Sequence, residues 1–154
     1  MWLAEHGWQV TGIDFSAAAI AKARTLAAAR GVDVRWVVAD LADHPFDEDT
    51  AFDLVLVAYL HPPPAQRSAL LRRAAQAVAP GGTVLVVGHD LRNLTEGHGG
   101  PAEPAVLYAP DAVAADLHGL RIEAAHRVQR PVEVDGTTHI AVDTLVRATR
   151  PAGG

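Results

Sequence analysis

Phe52-Asp53-Leu54-Val55-Leu56-Val57-Ala58 is apolar almost throughout. A continuous apolar run of that length suits a strand buried on both faces of a parallel sheet. Reading outward from it, Pro62-Pro63-Pro64 breaks the chain, and Ala65 to Val78 then has helical spacing, with Leu70, Leu71, Ala74 and Val78 on one side. Pro80-Gly81-Gly82 turns into a further strand, Thr83 to Gly88. On the N-terminal side, Val34 to Ala39 reads as a strand ending at Asp40, and Trp8 to Ile13 as one ending at Asp14. Between those two, Ala17 to Ala29 is an alanine-rich helix with Ser16 as N-cap and Gly31 as its stop. Met1 to His6 reads as the end of a helix closed by Gly7, and the acidic stretch Asp43 to Asp49 as a loop.

Beyond Gly88 the pattern changes. His89 to Tyr108, rich in Gly and Pro, is expected to be one long loop, and loops of that length in compact domains are often lids. Pro110 opens a short helix ending before Gly119. Leu120 to Val134 and Thr138 to Thr149 read as strands around a turn at Asp135-Gly136, which makes them antiparallel to each other. Strands and helices alternating in this order give an α/β fold: a mostly parallel sheet flanked by helices, closed by an antiparallel hairpin. The 154 residues suit one domain over 1–150 with a frayed tail over 151–154.

The chain is 49% hydrophobic and 20% charged, the balance of a globular protein. A net charge of -5, with lysine and arginine scattered and only Arg72-Arg73 adjacent, argues against a nucleic-acid or anionic-membrane partner. With no cysteine there is no disulfide, thiolate metal site or cysteine nucleophile. The eight histidines show no helical ligand pair, so no metal site is expected. No run reaches the roughly 20 apolar residues of a membrane span, and the opening residues have no secretory pattern. The expectation is a soluble cytoplasmic protein.

Ligands of open parallel sheets bind beyond the carboxyl ends of the strands. Here those ends carry Asp14, Asp40, Tyr59 to His61, and His89-Asp90. An acidic residue in the position of Asp14 accepts hydrogen bonds from both hydroxyls of a nucleotide ribose, or else favours the N-terminus of the next helix. Asp40 is placed to accept from an adenine amino group, or simply opens a loop. His61 and His89 follow adjacent strand ends; imidazole titrates near neutrality, so either is a candidate proton acceptor, and the competing reading is that both bond loop backbone. His139, on the last strand, either faces a substrate or is a satisfied sheet histidine.

The stretches WQVTGIDFS (8–16), VRWVVADL (34–41), FDLVLVAYLH (52–61) and AVAPGGTVLVVGHD (77–90), with HIAVDTLVRATR (139–150) as the second half of the hairpin, resemble the ordered motifs of class I, Rossmann-like S-adenosylmethionine-dependent methyltransferases. They are most similar to the small-molecule group around tellurite-resistance and thiopurine methyltransferases. The resemblance implies S-adenosylmethionine as cofactor and a small-molecule methyl acceptor. It implies that Asp14, with Phe15 beside it, binds the ribose, that Asp40 and the backbone of Leu41 bind the adenine, and that Ala58 and Tyr59 line the methionine side.

The family's first strand and glycine-rich loop, usually resembling Asp-x-Gly-x-Gly, have no counterpart here. Trp2 to Gly7 resembles the end of the helix that follows that loop. The resemblance therefore implies an N-terminally truncated domain, lacking a strand that lies between those ending at Asp14 and Ala58. Leu60-His61-Pro62-Pro63-Pro64 departs from the Asn/Asp-Pro-Pro-aromatic motif of DNA and protein amino-methyltransferases at His61 and Pro64. The alternatives are a non-catalytic remnant of the fold and, less well supported, an NAD-dependent oxidoreductase, which would share Asp14 but not the closing hairpin. Oligomeric state is not read from the sequence.

Overall fold

Local signals set most element boundaries in the computed structural model, which describes residues 1–41, 44 and 51–153. Apart from His44, the acidic stretch expected to be a loop lies outside the described residues. The chain packs as two units, Met1–Pro45 and Phe46–Gly154.

The first unit holds α1 (Trp2–Glu5), β1 (Thr11–Asp14), α2 (Ala17–Ala29) and β2 (Arg35–Val38). Alanine, the strongest helix former, fills α2. Its start is fixed where Ser16 Oγ accepts from the Ala19 N–H at 3.2 Å. β1 and β2 run parallel, in register from Thr11 with Arg35 to Asp14 with Val38. Both are shorter than their sequence patterns, because ladder pairing stops at those residues. Gly12 is dictated by its neighbour: a Cβ there would fall 2.4 Å from the Trp36 ring, which lies against the strand. Among its described residues, Ile20, Ala27 and Val34 are the unit's buried apolar ones.

In the second unit, β3 (Phe52–Ala58) pairs in parallel with β4 (Val78–His89). β4 pairs antiparallel with β6 (Thr137–Thr149), and β6 with β5 (Arg121–Val134), giving the order β3-β4-β6-β5. Asp135 and Gly136 supply the two positive-φ residues of the tight turn between β5 and β6. The fold is thus α/β: the first four strands pair in parallel, two by two, and the hairpin closes the sheet antiparallel. Among the described residues, β1 and β3 are end strands of their sheets, each with one neighbour.

Alternate residues of β4, among them Val84 and Val86, are fully buried with Val146 and Ala148 of β6, as period-two burial requires. α3 (Pro64–Ala77) starts on a proline, whose missing N–H costs nothing in a first turn, and buries Leu70, Leu71, Ala74, Ala75 and Ala77. Arg150 Nη2 donates to the carbonyls of Ala75 and Gln76 at 2.6 and 3.1 Å, closing the helix with a cation at its negative end.

Three sequence expectations are corrected. β3 is not buried on both faces: Val57 is buried, but Leu56 is 48% exposed. An apolar run states what a strand favours; the cover comes from other elements. β4 begins at Val78, before the Pro80–Gly82 bend, because Val78 pairs with Phe52 across a register shift. The long segment after His89 is not one irregular loop. It contains α4 (Asn93–Glu96), a 3-10 turn (Pro104–Val106) and a parallel bridge from Asp90 to Tyr108, and it leads into α5 (Pro110–Asp116).

Candidate functional site

In the first unit, Asp14 ends β1 half-buried, and its Oδ1 accepts the Ser16 N–H at 2.7 Å. That bond spans the turn from β1 into the start of α2. It occupies one oxygen and leaves Oδ2 without a hydrogen bond among the described residues. The next side chain, Phe15, is 69% exposed. On the neighbouring parallel strand end, Asp40 is exposed, its carbonyl accepts the His44 N–H at 2.8 Å, and Leu41 follows it. The structure therefore brings Asp14, Phe15, Asp40 and Leu41 to the carboxyl end of one two-stranded sheet.

In the second unit, Ala58, Tyr59, His61 and His89 lie at the carboxyl ends of β3 and β4. Tyr59 has φ +51°, a left-handed conformation that costs a non-glycine residue energy and clusters at functional sites. Its hydroxyl donates to Asp143 Oδ2 at 2.8 Å. Arg130 Nε donates to the same oxygen at 2.7 Å, and its guanidinium lies 5.2 Å from the Tyr59 ring centroid. Burial, followed by the Asp143 carboxylate, raises the Tyr59 phenol above its usual range.

The two histidines differ. His61 Nδ1 lies 2.9 Å from the Val106 carbonyl, and its Nε2 lies 3.2 Å from the His89 backbone N–H. A carbonyl can only accept and an N–H can only donate, so His61 is the neutral Nδ1–H tautomer with both nitrogens engaged. His89 Nδ1 instead faces Asp143 Oδ1 at 3.3 Å. Both atoms are sealed from solvent without a formed hydrogen bond, although the imidazole keeps 16% of its surface exposed. Burial pushes His89 below the usual imidazole value; Asp143 opposes that shift, while His61 and Arg130 reinforce it.

A second buried carboxylate sits beside this cluster. Asp90 Oδ1 accepts the Arg92 N–H and Arg127 Nε, both at 2.9 Å, and Oδ2 accepts the Thr144 hydroxyl at 2.5 Å. Burial alone would raise its carboxyl, but Thr144, Arg92 and Arg127 together hold it below the usual value. Asn93 ties the following segment to β6: Oδ1 accepts the Val142 N–H at 2.8 Å, and Nδ2 donates to the Gly99 carbonyl at 2.6 Å. Gly100, with φ +81°, passes so close over His89 that a Cβ would fall 2.8 Å from the ring. Tyr108 is fully buried and donates to the Leu60 carbonyl; burial pushes its phenol up to about 12, so it stays a donor.

Sequence reasoning missed Asp143 and Arg130. One signal was available for Asp143: a lone carboxylate in the apolar strand Ile140-Ala-Val-Asp-Thr-Leu must find partners if it is buried. His139 stacks on His98, with ring centroids 4.1 Å apart. Among the described residues no group of three or more His, Cys, Asp or Glu could hold a metal ion, and no helix is long and apolar enough to cross a membrane.

A sequence profile described as a methyltransferase domain matches residues 1–82. Demethylmenaquinone methyltransferase of Thermus thermophilus is 38% identical over 81 residues, covering 53% of this chain and 36% of the relative. The chain thus spans about a third of that protein's length. Among solved structures, one described for the conversion of a disulfide bond into a thioacetal group during echinomycin biosynthesis superposes with a TM-score of 0.78. It is 22% identical and covers 99% of this chain and 70% of its own. N-methyltransferase NodS from Bradyrhizobium japonicum in complex with S-adenosyl-L-homocysteine superposes with a TM-score of 0.70 at 21% identity, covering 97% and 70%. At these identities the superpositions establish a shared fold.

Proposed function

The chain belongs to the methyltransferase domain family, and from that premise we propose that residues 1–150 serve S-adenosylmethionine-dependent methyl transfer to a small-molecule acceptor. The observation that carries this reading is the end of β1. Asp14 spends one oxygen on its own helix and keeps the other for a ligand, beside the exposed ring of Phe15. In this reading Asp14 holds the ribose hydroxyls, with Phe15 against the nucleoside. Asp40 and the Leu41 backbone hold the adenine. Ala58 and Tyr59 are assigned to the methionine side by the family resemblance.

The cofactor, when bound, supplies a methyl group on a sulfonium, already carrying a good leaving group. The chain then has to bind, align and exclude water. A net charge of -5 with scattered cations favours a small molecule over nucleic acid as acceptor. The cysteine-free composition suits the cytoplasm.

Titration calorimetry with S-adenosylhomocysteine and with NAD tests the reading. Binding of S-adenosylhomocysteine alone is expected, with Asp14→Ala weakening it at least about tenfold, or ~1.4 kcal/mol. Binding of NAD alone would favour an oxidoreductase, and binding of neither a non-catalytic remnant.

A further inference from the structure

Asp143 Oδ1 and His89 Nδ1 are two buried polar atoms, 3.3 Å apart, facing each other and, among the described residues, partnered by nothing else. Orphaned buried groups are costly and call for an explanation. Among the described residues, each orphan has the other as its ion-pair contact. A carboxylate oxygen offers only lone pairs, so the bond between them requires the proton on Nδ1. That tautomer leaves a bare lone pair on Nε2. Hydrogen bonds of this kind are often long without substrate and tighten when it binds. His61, in the same tautomer 5.4 Å away between ring centroids, already uses its Nε2 on backbone.

The carboxylate is itself held in place. Tyr59 from the end of β3 and Arg130 from β5 both bond Oδ2, so Oδ1 is turned toward His89 on β4. The charged and titratable groups around His89 are therefore Asp143, Arg130, Tyr59 and His61. Burial keeps the imidazole neutral to a lower pH than usual, so it is free to accept a proton near neutrality.

We infer that His89 accepts the proton of the methyl acceptor's attacking atom, that Asp143 is its positioning residue, and that the acceptor is a phenol or enol. This rests on the methyl-transfer reading above. A thiolate needs no base of this kind. An amine acceptor would turn cationic on methylation beside the Arg130 guanidinium, which Asp143 only partly offsets, whereas a developing phenolate is favoured there. The half-exposed Tyr59 ring beside His89 offers a flat face for a planar acceptor. In the reaction, the acceptor oxygen bonds to the methyl carbon as the carbon–sulfur bond breaks and its electron pair leaves on sulfur. The hydroxyl proton passes to His89 Nε2. The positive charge lost at sulfur reappears on the imidazolium, which then releases its proton to water.

Two measurements on the full chain test this. Nitrogen-15 NMR of the histidine rings is expected to show His89 as the Nδ1–H tautomer, and Asp143→Asn to abolish that preference. An Nε2–H tautomer, or no response to Asp143→Asn, overturns the dyad. Because Asp143 is buried, Tyr59→Phe and His89→Gln serve as milder variants: the first weakens the tautomer preference, and the second removes the signal. Transfer of labelled methyl from S-adenosylmethionine to a panel of phenol, catechol and thiophenol is expected to favour the two phenols. His89→Gln is expected to lower that transfer about 100-fold or more and to remove the acid limb of its pH profile. Transfer to thiophenol alone overturns the acceptor class. Failure to bind S-adenosylhomocysteine overturns the methyl-transfer reading instead, and the tautomer still decides the dyad.

Discussion

The strand ends at Asp14 and at His89 both carry carboxylates, but they are built on opposite plans. Asp14 is half-buried, and its bonded partner is Ser16, two residues away. Asp90 and Asp143 are 0% and 1% exposed, and their partners include Thr144, 54 residues from Asp90, and Tyr59, 84 residues from Asp143. A local carboxylate can be spared for a ligand because little else depends on it. A buried one is part of the fold, and only the oxygen left unmatched by its partners is available for chemistry.

The contrast is sharpest in stability. Asp90→Ala would strand Arg127, Thr144 and the Arg92 N–H at once, and is expected to cost about 3–5 kcal/mol in urea unfolding. A loss under ~1 kcal/mol would break the distinction between the two plans. Gly12→Ala tests the packing beneath the Asp14 strand end. The new Cβ meets the Trp36 ring, and overpacking of this kind is expected to cost ~1–3 kcal/mol. Asp14→Ala should cost about 1 kcal/mol in stability, the scale of a lost helix-start bond, while its larger effect falls on S-adenosylhomocysteine affinity. Tyr59→Phe removes one hydrogen bond to Asp143 and is expected to cost about 1 kcal/mol.

The smallest expected effect is the pH response. His89 has a lowered proton affinity in the fold, so between its folded value and the usual 6.5 the unfolded chain binds more protons. Its contribution to stability is complete above 6.5 and is lost as pH falls through the folded value. Asp90, also lowered, adds a loss in the acid range, below its usual 3.8. Thermal midpoints measured down a pH series should fall first through the His89 range, and His89→Gln should flatten that first step while leaving the second.

The same divide separates what the sequence shows from what it hides. Ser16, the alanine run and Gly31 state the limits of α2, since a helix start and stop are decided by neighbours in the chain. Phe52 to Ala58 reads directly as β3, and Asp135-Gly136 as the hairpin turn. The helix at Asn93 does not read that way. It is held by an Asn93 bond to Val142, 49 residues away, which no local pattern announces. Asp14, Asp40, Tyr59 and His89 were visible as polar ends of apolar strands. Asp143 and Arg130 were not, because their role comes from the register of β4, β6 and β5.

By itself the sequence determined the order of the strands and longer helices, their approximate limits, the family and the carboxylates at the first strand ends. Those follow from hydrophobic period, helix caps and turn residues, all of which act over a few positions. Only the tertiary structure decided that His61 is consumed by backbone while His89 faces a buried carboxylate. That choice depends on which side chains antiparallel pairing sets opposite each other, and on Tyr59 and Arg130 reaching one oxygen of Asp143 and leaving the other turned toward His89.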